Sequence, residues 1–189
     1  GAGCSVEPPT AIPLAGPLAH DAERRLVLDG ILAAGQCGDP WNLADLASLV
    51  FAVTGSQAAL VSRFPLHRMR IAKPNTGYRL LVALMAEGAV SHVLSLNFDL
   101  AVEHAASEMA TEIVVVHRHD QQVPARATLV YLHGNANSDP EDLVLRAEAI
   151  DDAWRGQWQQ VIAQQILSAP TILFAGLGSA APVLTATMA

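Results

Sequence analysis

From residue 90 onward, short β-branched runs alternate with helix-forming segments, and this alternation constrains the fold more than any other feature of the chain. "VSHVLSL", "EIVVVH", "ATLVYLH" and "PTILFAGLG" read as strands, while "DLAVEHAASEMA" and "DAWRGQWQQVIAQQILSA" read as helices. Parallel strands cannot be joined by a tight hairpin and need a crossover, which a helix supplies. The expected architecture is therefore an α/β fold: a doubly wound, Rossmann-like parallel sheet with helices on both faces. A hydrophobic share of 51% against 15% charged residues suits elements buried on several sides, and 189 residues suit a single domain over 1–189.

Upstream, "DAERRLVLDGILAAG" reads as a helix between the Pro/Gly-rich loops "PPTAIPLAGP" and "AAGQCGDP". "DPWNLADLASLVFAV" reads as a second helix, with Asn42 or Asp39 near its start. "PNTGYRLLVALMAEG" reads as a third, with an apolar face through Leu80, Leu81, Leu84 and Met85 and with Gly88 closing it. The chain itself opens on "GAGCS", a turn of the kind that normally follows a strand. A first strand is accordingly expected to be missing, and the chain to be a fragment of a longer protein.

A net charge of −7 lacks the electrostatic footprint of nucleic-acid binding. The most basic stretch, "SRFPLHRMRIAK", reads as a solvated loop. Apolar runs fall short of the roughly 20 residues that span a bilayer, so no membrane association is expected. The two cysteines, Cys4 and Cys37, form no C-x-x-C pair, which argues against a thiolate zinc site and for a reducing compartment, the cytoplasm. "HRHD" at 117–120 reads as a solvated strand end rather than a metal site, and Trp154 and Trp158 as one packed helix face.

In a doubly wound sheet, ligands lie beyond the carboxyl ends of the strands. The residues there are Asn97, Phe98 and Asp99 after the first strand, His133 and Gly134 after the third, and Gly176, Leu177, Gly178 and Ser179 after the last. Asn97 and Asp99, two apart, can face one crevice; each could equally cap the following helix. Glycines at such exits let a backbone approach a pyrophosphate, or merely complete a turn. An imidazole at His133 suits proton transfer near neutral pH.

Taken in order, "GAGCS", "KPNTGYRLLVALMAEGAVSHVLSLNFD", "YLHG" and "FAGLGSAAP" resemble the sirtuins and the wider sirtuin-like NAD-consuming domains. Leu96 stands where the sirtuin Thr-Gln-Asn-x-Asp motif has Gln, and the four-cysteine zinc module of the deacylases is absent. The segment "HGNANSDPEDLVLRAEAI" instead looks like the zinc-free branch, which includes NAD hydrolases of bacterial antiviral systems. The resemblance implies NAD as substrate, no zinc, and cleavage of the nicotinamide–ribose bond. It implies catalytic roles for Asn97, which would hold the water or the ribose hydroxyls, for Asp99 at the nicotinamide end, and for His133 as general base. Gly1, Ala2, Gly3 and Ser5 would cradle the phosphates, and Gly176, Gly178 and Ser179 would meet the adenosine half. An attached effector or sensor domain and a homo-oligomer are the implied partners. A non-catalytic NAD or ADP-ribose sensor and an NAD-dependent deacylase are the alternatives. NAD is expected over NADP, because no Arg lies close in sequence to "GLGS".

Overall fold

The computed structural model describes residues 1–117, 127–152 and 169–178. Its sheet has three strands, β1 (His92–Ser95), β2 (Val114–Val116) and β3 (Thr128–Tyr131), in the spatial order β1-β3-β2. All pairings are parallel, with Ser95 opposite Tyr131 and Val116 opposite Val130. The chain passes from β1 through helix α6 (Ala101–Glu108) to β2, then returns to insert β3 between them. Every residue of the central strand β3 is buried, as its uniformly apolar or β-branched sequence requires. This is the Rossmann-like α/β architecture expected from the alternation of strands and helices.

Five helices precede the sheet: α1 (Ala15–Leu28), α2 (Leu43–Thr54), α3 (Ala58–Val61), α4 (Leu66–Arg70) and α5 (Thr76–Ala86). A short α7 (Ala147–Asp152) follows it. The first helix starts earlier than its Pro/Gly-rich flank suggests. Pro17 falls in the first turn, where its missing N–H would have had no intrahelical partner. In α2 the Asn42 side chain accepts from the amides of Ala44 (3.0 Å) and Asp45 (3.3 Å), and Gly55 closes the helix at φ +77°.

Three expectations need correction. The basic stretch 62–73, expected as a solvated loop, contains α4 and buries Phe64, Met69 and Ala72. The buried stripe of α5 is Tyr78, Val82 and Met85, whereas Leu80 is 60% and Leu84 38% exposed. That helix is apolar nearly all round, so periodicity did not single out its core face. The segment 171–175, expected as a final buried strand, joins no ladder among the described residues, and Leu173 is 84% exposed. Its backbone pairs instead with the chain start: the Gly1 amine donates to the Ala175 carbonyl (2.8 Å) and the Gly3 amide to that of Gly176 (2.9 Å). The helix expected from "DAWRGQWQQVIAQQILSA", with Trp154 and Trp158, lies outside the described residues, as do His119 and Asp120.

Candidate functional site

Residues from three parts of the chain meet at the carboxyl end of β1. Asn97 and Asp99 follow that strand on a short loop and are buried. The loop is braced on both sides: the Leu100 amide donates to the Met69 carbonyl (3.1 Å) and the Ala136 amide to that of Phe98 (2.7 Å). Ser5 comes from the 3-10 turn Ala2–Ser5. Tyr78 comes from the first turn of α5, where Asn75 caps the helix by accepting from the Tyr78 amide (3.1 Å). The Asn75 amide group donates in turn to the Cys4 carbonyl (2.8 Å), which ties the opening turn to α5.

The four side chains form one hydrogen-bonded cluster. The Ser5 hydroxyl donates to Asp99 Oδ2 (2.7 Å) and lies 2.6 Å from the Tyr78 hydroxyl. Asn97 Nδ2 donates to both hydroxyls, at 2.9 Å to Ser5 and 3.0 Å to Tyr78. Asp99 also serves its helix, because its Oδ1 accepts from the Ala101 amide (3.2 Å). Capping and site geometry are thus both met by one carboxylate. Burial raises the Asp99 pKa, against the lowering effect of the Ser5 and Ala101 hydrogen bonds. Burial, and then the Asp99 charge, hold the Tyr78 phenol well above its usual range, so it stays a neutral hydroxyl.

Through Asn97 and Asp99 the cluster borders a small cleft of about 70 Å³. Its walls are apolar, from residues such as Ile12, Leu18, Leu43 and Met69, with Asn97 and Asp99 supplying polar side chains and Ala2 also lining it. Asn97 Oδ1 is buried and, among the described residues, has no hydrogen-bond partner. An unpaired buried acceptor is costly, and a ligand donor would satisfy it.

His133 lies on the neighbouring strand exit. His133 lies two residues beyond Tyr131, as Asn97 lies two residues beyond its ladder partner Ser95. Burial pushes its pKa down to about 4, so the ring is neutral at pH 7. Its Nε2 is buried and unpartnered among the described residues. No hydrogen bond among those residues joins it to the cluster, and it does not line the same cleft. The following loop is pinned by Asn135, whose side chain contacts His117 Nδ1 (3.2 Å) and accepts from the Asn137 amide (2.9 Å); His117 itself stacks on Tyr131.

The glycines of the two expected phosphate loops meet each other. A Cβ on Gly3 would come within 2.9 Å of the Gly176 Cα, and one on Gly176, at φ +61°, within 2.5 Å of the Cys4 amide nitrogen. The Gly3 and Cys4 amides donate to the carbonyls of Gly176 and Gly1. Among the described residues nothing lies within 4 Å of a Cβ on Gly178, and Ser179 lies outside them.

The sequence model of the SIR2-like domain matches residues 91–189, more than half of the chain. The chain belongs to the SIR2-like domain family. Membership implies a function that involves NAD. Asn97, Asp99, His133, Gly176 and Gly178 fall within the SIR2-like match, whereas Ser5 and Tyr78 lie before it and reach the site only through the fold. No curated protein matches the chain. Tyr78 is the member of this cluster that sequence reasoning missed. Its only local signal was an aromatic three residues after the capping Asn75, which core packing explains equally well.

Proposed function

We propose that this SIR2-like domain hydrolyses NAD to nicotinamide and ADP-ribose. The observation that carries the reading is the buried Ser5–Tyr78–Asn97–Asp99 cluster, with an unpaired Asn97 acceptor, beside an apolar cleft. The cleft suits a flat, weakly polar ring such as nicotinamide. Asn97 Oδ1 would hold the attacking water or a ribose hydroxyl, and the Asp99 carboxylate would face the positive charge that grows as the glycosidic bond breaks. The water oxygen bonds to the anomeric carbon, the bonding pair leaves with nicotinamide, and the proton of the water would pass through a further water to the neutral ring of His133, which lies outside the cleft at the neighbouring strand exit. Gly1, Ala2, Gly3, Gly176 and Gly178 are proposed to flank the phosphates and adenosine, with Ser5 acting through its contacts in the cluster and Ser179 beyond it.

No zinc is assigned. The chain has two cysteines, too few for a four-thiolate site, and no group of three His, Cys, Asp or Glu among the described residues is placed to hold a metal. Both thiols are unpaired, which suits the cytoplasm. No helix among the described residues is long and apolar enough to cross a membrane. We place the domain, spanning 1–189, in a longer, homo-oligomeric antiviral NAD hydrolase with an attached effector or sensor part. One observation favours a second reading, a non-catalytic NAD sensor: a base of pKa about 4 is weak at neutral pH.

Incubation of the chain with NAD, read by chromatography for nicotinamide and ADP-ribose, tests the proposal. Release that falls at least about 100-fold in Asn97→Ala and His133→Ala, with NAD still bound, is the expected result. Binding without release in the unmutated protein would establish the sensor instead.

A further inference from the structure

The cluster has a single consistent proton arrangement. A hydroxyl offers one donor and two acceptor sites. The one proton of Ser5 goes to Asp99, so both of its acceptor sites are open, and Asn97 Nδ2 and the Tyr78 hydroxyl fill them. Tyr78 therefore donates to Ser5 and accepts from Asn97 Nδ2, which donates to both hydroxyls. Reversing the amide would set Oδ1 against a Ser5 hydroxyl that has no proton to give.

We propose that Tyr78 is a positioning residue that, together with Ser5, locks the Asn97 amide in the orientation that leaves its buried Oδ1 unpaired, on a residue that borders the cleft. The significance of that acceptor for chemistry rests on the hydrolase reading; the locking itself does not. The ligand group it selects is a hydrogen-bond donor, a ribose hydroxyl or a water, and an acceptor placed there would be rejected.

The test is Tyr78→Phe in the full chain, which keeps the ring and removes the hydroxyl. In the nitrogen-15-labelled protein, hydrogen exchange of the Asn97 side-chain amide should quicken about tenfold, since Nδ2 loses one of its two acceptors. Nicotinamide release should lose about tenfold in kcat, with KM for NAD changed less than about threefold. Unchanged exchange in folded Tyr78→Phe overturns the positioning role, as does an effect confined to KM. If exchange quickens while the unmutated protein releases no nicotinamide, the positioning role holds and the hydrolase reading fails. Should Tyr78→Phe not fold, Ser5→Ala carries the same exchange measurement, because it removes the other acceptor of Nδ2.

Discussion

His133 ties the stability of the domain to pH in a way that can be measured without any ligand. Its folded-state pKa is pushed down to about 4 by burial, from an ordinary 6.5. Between those values the unfolded chain binds a proton that the folded chain does not, so stability is full above 6.5 and is lost as pH falls toward 4. At pH 5 the unfolded imidazole is almost wholly charged and the folded one almost wholly neutral. The loss is then about 1.5 pK units at about 1.4 kcal/mol each, or about 2 kcal/mol, rising to about 3 kcal/mol when the folded ring also charges. Asp99 acts in the opposite sense, because its raised pKa makes acid stabilising. The comparison that isolates His133 is therefore a double difference. Urea unfolding of the unmutated chain and of His133→Gln, each at pH 7 and pH 5, should show the unmutated chain losing about 2 kcal/mol more than the variant. Equal losses would mean that the ring is solvated, and the weak-base argument would fall with it.

Asp99→Asn removes the buried charge but keeps one acceptor oxygen in place of two, so it cannot accept from both Ser5 and Ala101; Tm at pH 7 should not rise, and nicotinamide release should drop. Gly176→Ala should destabilise by more than about 1 kcal/mol, because φ is +61° and the new Cβ meets the Cys4 backbone, whereas Gly178→Ala, whose Cβ meets nothing within 4 Å among the described residues, should leave Tm within about 2 °C; thermal scans of the pair decide. Under the proposed function, Gly178→Ala should nonetheless weaken NAD binding by calorimetry. NAD should bind more tightly than NADP, and a tenfold preference for NADP in the same calorimeter would reverse that assignment.

The alternation of apolar runs with amphipathic segments was enough to read a parallel α/β sheet, because a period of two or 3.6 residues is written directly into local sequence. The start of α2 was legible to Asn42 or Asp39 for the same reason: Asn42 satisfies helix amides within three residues of itself. Asn97, Asp99 and His133 could be placed at strand exits once the strands were known. What the sequence did not determine depends on contacts between distant segments. Ser5 reaches Asp99 across 94 positions and Tyr78 across 73, and no local pattern records that the opening turn would be folded under α5. The core face of α5 was undecided because nearly every position is apolar, and only packing selected Tyr78, Val82 and Met85 over Leu80 and Leu84. The same holds for the two glycine loops. Their composition allowed a close backbone approach, but that Gly3 and Gly176 approach each other was settled by where the fold brings residues 1–5 and 175–178 together.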